Sequence, residues 1–280
     1  MDFRLVYGDA YDLRNLLGVV AVVCEEPMLH LSREGLLIRE MDPSRIMLIE
    51  LRMDYSAFDE LEAPNGEHQV LLNLKEFLRH TRGIPRPKYR KRGPATGLTR
   101  AELVFDGEKL CVKLTGAVER EMTFSVNPEP NIHGLALSSL LKRTLRINYP
   151  ATIGVDTRAL QKAVKGAYEV AMTDWRSGTL AFEATKEKLV VSAQGSEGLS
   201  FSAVFRPGSD DVLLFNVREE ARALFSAVVL RKVLTAAKKV SDWVALNLRT
   251  DSPLRMDFNL PALPGQIRFW LAHCIPPEDY

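Results

Sequence analysis

The chain is poor in cysteine, has no long apolar run and carries no excess of either charge. Its three cysteines among 280 residues, Cys24, Cys111 and Cys274, stand far apart with no C-x-x-C spacing. That pattern leaves no disulfide framework and reads as reduced, mostly buried thiols in an intracellular protein. The longest apolar run, Val19 to Cys24, is far too short to span a bilayer, and the opening MDFRLVYGD lacks the architecture of a signal peptide. With 37 Lys and Arg against 36 Asp and Glu the formal net charge is +1. Bulk electrostatics therefore declares no nucleic-acid binder, and any such signal must lie in how the charge is distributed. Catalytic signatures are missing too: there is no Walker loop, H-E-x-x-H, G-x-S-x-G or metal-spaced Cys/His set. His30, His68, His80, His133 and His273 are isolated and read as surface or packing residues, and Asp210-Asp211 and Glu219-Glu220 as solvated acids. The expectation is a protein with no reaction, no metal and no cofactor of its own.

What is present is pattern. Gly35 to Asp54 reads as two strands joined at Asp42-Pro43-Ser44, where Asp opens a type I turn and Pro supplies its fixed φ. Beyond the turn Ile49, Leu51 and Met53 alternate with Glu50, Arg52 and Asp54, as on a half-buried ribbon. A helix is expected from about Asp9 to Val23, with Leu13, Leu16, Leu17 and Val20 in one stripe. The same template recurs at Leu74, Phe77 and Leu78, ending near Gly83; at Leu160, Ala163, Val164 and Ala167, with Asp156 as N-cap; and at Leu230, Val233, Leu234 and Ala237. Short alternating runs fall between: Met28–Leu31, Gln69–Asn73, Leu103–Phe105, Leu110–Leu114, Met122–Val126, Thr179–Phe182, Lys188–Ser192, Leu199–Phe205 and Val212–Asn216. The order helix, strands, helix, strands occurs twice, a duplication with a period near half the chain. Two α+β domains of like build follow, with a seam from Asn127-Pro128 to about Tyr149-Pro150. Arg218 to Val240 holds no breaker, and on pattern alone it is one long helix.

The helix faces turned from the core carry cations. Arg158, Lys162 and Lys165 lie opposite the stripe of the third helix, and Lys232 and Lys239 opposite that of the fourth, with Arg231 and Lys238 on its flanks. The second helix shows Lys75 and Arg79, offset by Glu76, and the first only Arg14, beside Gly18 and Val22. One such face is an ordinary solvated surface; three of four biased alike suggest a positive track. No aromatic residue is expected on these faces to stack on bases. What remains is contact with phosphates, blind to sequence and sensitive to salt. A separate run from Arg79 to Arg100 holds Arg79, Arg82, Arg86, Lys88, Arg90, Lys91, Arg92 and Arg100 with no acid. Pro85, Pro87, Gly93, Pro94 and Gly97 argue against regular structure there. It reads either as a solvated loop or as an arm that touches DNA or an acidic partner.

The string Met41-Asp42-Pro43-Ser44-Arg45 after a short amphipathic helix, together with PLRMDF from Pro253 and the near-terminal FWLA from Phe269, resembles the sliding clamps of archaea and eukaryotes, the proliferating-cell-nuclear-antigen family. The resemblance covers essentially the whole chain. It implies two similar domains of the DNA-clamp fold, helices on the inner face and antiparallel sheets outside. Residues 1–126 form the N-terminal domain with a basic insertion at about 82–100, 127–150 a connecting linker, and 151–280 the C-terminal domain. It also implies that Ala221–Ser226 is a strand leading into a helix from Ala227.

Function follows by the same resemblance. A trimeric ring, of one subunit type or several, encircles double-stranded DNA as a polymerase processivity factor, opened by a clamp loader. Arg14, Lys75, Arg79, Arg158, Lys162, Lys165, Arg231, Lys232, Lys238 and Lys239 would face the duplex. Ring edges are expected at about Val118–Val126 and Leu199–Phe205. DNA polymerase, flap endonuclease and DNA ligase would dock short peptides against Met41, Arg45, Leu135, Leu137, Pro253, Trp270, Ala272 and His273, with Leu254 and Leu271 nearby, Leu271 as core. The setting would be the cytoplasm or nucleoid of an archaeon, or a eukaryotic nucleus. Three departures point to a specialised paralogue: Ala272-His273 in place of Ala-Pro, a linker carrying Lys142, Arg143 and Arg146, and a neutral rather than acidic chain. Two other classes stay open on the residues alone, a DNA-binding module that forms no ring and a metal-dependent DNA-processing enzyme on a duplicated α+β fold.

Overall fold

Asp9 shows how the elements begin. Its carboxylate accepts hydrogen bonds from the backbone N–H of Tyr11 at 2.9 Å and Asp12 at 3.3 Å, satisfying donors that an unfinished first turn leaves open. Asn73 and Asp156 do the same for Glu76 N at 2.9 Å and Ala159 N at 2.7 Å. The computed structural model describes residues 2–63, 66–88, 95–126, 144–174, 178–260 and 264–275. By contacts the chain forms two units: Met1–Pro43, Ile49–Gly134 and Leu260–Ile267 in one, Ser44–Leu48, Leu135–Asn259 and Arg268–Tyr280 in the other.

The first unit is built from β1 (Phe3–Tyr7), α1 (Ala10–Val20), β2 (Met28–Ser32), β3 (Gly35–Met41), β4 (Met47–Asp54), β5 (Glu60–Glu62), β6 (His68–Leu71), α2 (Leu74–His80), β7 (Thr99–Phe105), β8 (Lys109–Gly116) and β9 (Arg120–Ser125). Its sheets run in the orders β5-β1-β7-β8-β9 and β4-β3-β2-β6. The second contains β10 (Ala151–Asp156), α3 (Thr157–Ala171), β11 (Thr179–Ala184), β12 (Leu189–Gln194), β13 (Ser200–Phe205), β14 (Val212–Val217), β15 (Ala221–Ser226), α4 (Ala227–Ala237), β16 (Trp243–Leu248), β17 (Leu254–Asn259) and β18 (Gly265–Leu271). Its sheets run β14-β10-β16-β17-β18 and β13-β12-β11-β15. Placed in chain order, the two lists of elements match one for one, and so do both strand orders. The duplication expected from helix spacing therefore extends to every strand.

Within each unit the two helices pack side by side, α1 on α2 and α3 on α4. The predicted stripes are the buried faces: Leu13, Leu16, Leu17 and Val20 on α1, Leu160, Val164 and Ala167 on α3, and Leu230, Val233, Leu234 and Ala237 on α4 are at most 2% exposed. Each fully buried leucine stabilises the fold by about 1.5–3 kcal/mol relative to leaving it in water. Polar residues are thereby left on the opposite faces of both helix pairs.

Some expectations need correction. The first helix stops at Val20 rather than Val23, because Val22 and Val23 tighten into i→i−3 hydrogen bonds to Val19 and Val20 at 3.3 and 2.9 Å. The second ends at His80, where the Thr81 hydroxyl donates to Phe77 O at 2.8 Å. The turn after Met41 spans residues 42–46 and holds Arg45 at φ 60, a left-handed backbone unusual for a side chain that is not glycine. Arg218–Val240 is not one helix: Ala221–Ser226 pairs with β11, Thr179 opposite Ser226 and Ala184 opposite Ala221, before α4 begins. The three cysteines are free, and half-buried rather than buried. Among the described residues no helix is long and apolar enough to cross a membrane.

Candidate nucleic-acid interface

The outer surface of α3 and α4 is the most cationic helix face in either unit. Arg158, Lys162, Lys165, Arg231, Lys232 and Lys239 are exposed there. Two contacts tie the helices edge to edge. The Arg231 guanidinium lies 4.1 Å from the centre of the Tyr168 ring, and Lys238 Nζ donates to Gln161 Oε1 at 3.4 Å. Arg158 stands 3.5 Å from Asp242 and Lys165 3.9 Å from Glu169, both pairs more than 60% exposed. Pairs so exposed are worth little in water, and the cations remain available to an incoming anion. Among the described residues Lys162, Lys232 and Lys239 have no acidic partner.

Tyr168 of α3 lies at the seam between the two helices. It is half-buried between the helices under Arg231, and its ring is covered rather than offered as a stacking platform. Sequence spacing places it three residues after Lys165, but only the packing of α4 shows what covers it.

In the first unit the cationic face is sparser. Lys75 is exposed and without an acidic partner among the described residues. Arg79 is paired with Glu76 one turn back and lies 3.3 Å from His80 Nε2. Arg14 is half-buried, and its Nε is shielded from solvent with no hydrogen-bond acceptor, so it projects less than the sequence pattern implies.

Both expected edges are end strands of their own sheets: β9 in the first unit and β13 in the second. Each has an open groove beside it. The one at β13, of about 930 Å³, is lined by Arg158, Lys162, Phe201, Val204 and Arg206 among others. The one at β9, of about 660 Å³, is lined by Glu26, Glu76, His80, Glu121, Met122 and Phe124 among others. The first groove sets Arg158, Lys162 and Arg206 beside Asp156 and Asp211, and the second is mainly acidic.

Of the candidate peptide-docking residues, Met41 is half-buried in the first unit. In the second, Arg45 is exposed, Pro253, Ala272 and His273 are half-buried, and Trp270 and Leu271 are 4% and 1% exposed, packed as core. Ala272 N donates to Ile46 O at 2.8 Å, fastening the segment beside the MDPSR turn to the end of β18. Leu135 and Leu137 lie outside the described residues, as do Arg90, Lys91 and Arg92 of the basic run; Arg86 and Lys88 are exposed. Among the described residues no group of three or more His, Cys, Asp or Glu could hold a metal ion.

No family model matches the chain. It is 28% identical over 268 residues to the DNA polymerase sliding clamp 1 of Pyrobaculum aerophilum, covering 96% of either protein. Among solved structures it superposes on a chain of the Sulfolobus tokodaii PCNA2–PCNA3 complex with a TM-score of 0.77 at 21% identity, over 96% of this chain and 98% of that one. It likewise superposes on a chain of A. fulgidus PCNA bound to the C-terminal region of FEN-1, with a TM-score of 0.75 at 21% identity, over 98% and 99%. Likeness at that level shows a common fold along the full length.

Proposed function

We infer that the chain is a subunit of an archaeal sliding clamp of the proliferating-cell-nuclear-antigen family, a processivity factor that encircles duplex DNA and tethers replication and repair enzymes. The observation that carries this reading is the strict repeat of eleven elements, each half placing a helix pair with its polar face outward, joined to full-length similarity to a named sliding clamp.

The physics of such a ring follows from the parts. An end strand presents unpaired N–H and C=O groups, and another strand laid against it satisfies them. A chain with two different free edges joins head to tail, and a suitable rotation closes the ring. Arg158, Lys162 and Arg206 in the groove at β13 and the acids of the groove at β9 suit such a contact between copies of this chain as well as with sibling subunits. The helix cations, Lys162 and Lys232 foremost, would meet phosphates without reading bases, so the ring slides. Held by topology, it needs no tight contact, and salt weakens what contact there is. No reaction is assigned to the chain. Polymerase, flap endonuclease and ligase would dock peptides at Arg45, Pro253, Ala272 and His273, with a clamp loader opening the ring.

Retention on DNA tests this. Protein loaded on nicked circular DNA should survive gel filtration at high salt and be lost when the circle is cut. Stable binding of a monomer to linear duplex would instead identify a binding module that forms no ring.

A further inference from the structure

The segment after α2 is built as a cationic platform. Between Glu76 and Glu102 there are eight Lys and Arg and no acid, in a chain of net charge +1. The remainder, 29 Lys and Arg against 36 Asp and Glu, is therefore net −7. Only the base of this segment lies among the described residues, and it is anchored. Thr81, Ile84 and Pro87 are buried, whereas Arg82, Arg86 and Lys88 are exposed. Lys88 and Thr96 exchange main-chain hydrogen bonds at 2.9 and 3.1 Å, closing the segment as an antiparallel bridge. From β9, Arg120 Nη1 donates to His80 O at 2.6 Å and Arg82 O at 3.0 Å, covering carbonyls that would otherwise present negative charge at the end of α2.

Pairing separates these cations from most arginines of the same unit. Arg4, Arg39, Arg52, Arg79 and Arg100 in the same unit all have carboxylate partners. Arg82, Arg86 and Lys88 have no ion pair among the described residues, although Arg86 lies close enough to Asp12 for its charge to favour that carboxylate. Exposed cations clustered on a fixed backbone raise the local positive potential and so the local concentration of an anionic partner.

We propose that Arg82, Arg86 and Lys88 form a second phosphate-binding surface for duplex DNA, separate from the helix faces and entered from the C-terminal end of α2. The surface rests on the sliding-clamp reading for its ligand, and it makes the first unit, whose helices are sparse in free cations, contribute its share of the electrostatic grip.

The test uses the full-length protein and a fluorescent 30-bp linear duplex, with affinity followed from low to moderate salt. Each phosphate contact contributes a slope of about 0.9 in log K against log salt. The triple variant Arg82→Gln, Arg86→Gln, Lys88→Gln should flatten the slope by about 2 to 3, while Arg82→Lys with Arg86→Lys should leave it unchanged. A helix variant, Lys162→Gln with Lys232→Gln, is run beside them. An unchanged slope in the triple variant while the helix variant flattens overturns the proposal and leaves the clamp reading standing. Slopes that no variant changes, with loss of retention on circles, overturn both. Tighter binding to polyglutamate than to duplex at the same salt, lost in the triple variant, overturns the nucleic-acid assignment in favour of an acidic protein.

Discussion

Gly166 of α3 stands so close to Phe201 of β13 that a β-carbon there would lie 2.6 Å from the Phe201 ring. The glycine is thus the recess that seats an edge-strand aromatic against the helix. Alanine in its place would gain about 1 kcal/mol of helix propensity but force the ring outward. Phe201 is half-buried beside an open groove and has room to swing. Gly166→Ala should therefore change stability in urea by less than about 1 kcal/mol, the propensity gain offsetting the displacement, while lowering the oligomeric mass. A loss of stability beyond about 3 kcal/mol would place Phe201 in the core rather than at the edge.

The elements legible in the sequence are those whose signal is local. The stripe of α1, the cap Asp156 and the Met41–Arg45 string can each be read from a few neighbouring residues. β1 and β10 could not, since both are covered on their two faces and show buried runs in place of alternation, FRLVY with only Arg4 outside the core among its side chains and ATIGVD broken by Gly154. β5 is three residues long and gives no period at all. Arg218–Val240 misleads because the switch at Ser226 is decided by pairing with β11, more than 40 residues upstream. The site divides in the same way. The Arg79–Glu76 pair is one helical turn and readable, whereas Arg158 with Asp242 and Arg231 over Tyr168 exist only once the helices have packed.

Asp156 caps α3 through a 2.7 Å bond to Ala159 N. Asp156→Ala should cost about 1 kcal/mol, within the range of about 0.5–2 for lost caps, and Asp156→Asn much less. Urea unfolding of the two variants checks this; equal losses would show that charge rather than hydrogen bonding matters at this position.

Burial is the largest influence on the Cys24 thiol and, with the negative field of Glu40, pushes its pKa up to about 11 from the ordinary 9.0. Thiolate is the reacting form, so at pH 8 alkylation should be roughly a hundredfold slower than for an ordinary thiol. Cys111 and Cys274 are raised as well, also chiefly by burial. Labelling with iodoacetamide, read by peptide mass, should show Cys24 reacting steeply faster as pH climbs toward 10. Rapid labelling of Cys24 at pH 7 would contradict the sign.

Asp257 is held at 3.1 Å by both Asn247 Nδ2 and Arg255 Nε, yet burial outweighs the two guanidinium groups of Arg255 and Arg268 and raises its pKa. A raised carboxyl binds its proton more tightly folded than unfolded, so its stabilising contribution is full below the unfolded pKa and fades as pH rises through the folded one. The stability of the wild type relative to Asp257→Asn should accordingly decline from acid toward neutral pH. A difference that grows with pH would mean the ion pairs win over desolvation.

Val204 lies on the outward face of β13 and is 45% exposed. Its side chain does little for the folded subunit, so Val204→Glu should alter stability by no more than about 0.5 kcal/mol. A carboxylate at this point would meet whatever strand pairs with β13, and if that is the edge of another subunit's acidic groove, like charges face each other. The expected result is a folded protein of subunit mass by light scattering that no longer stays on circular DNA. Retention and full mass in this variant would mean that β13 is not where the ring closes, whatever the helices bind.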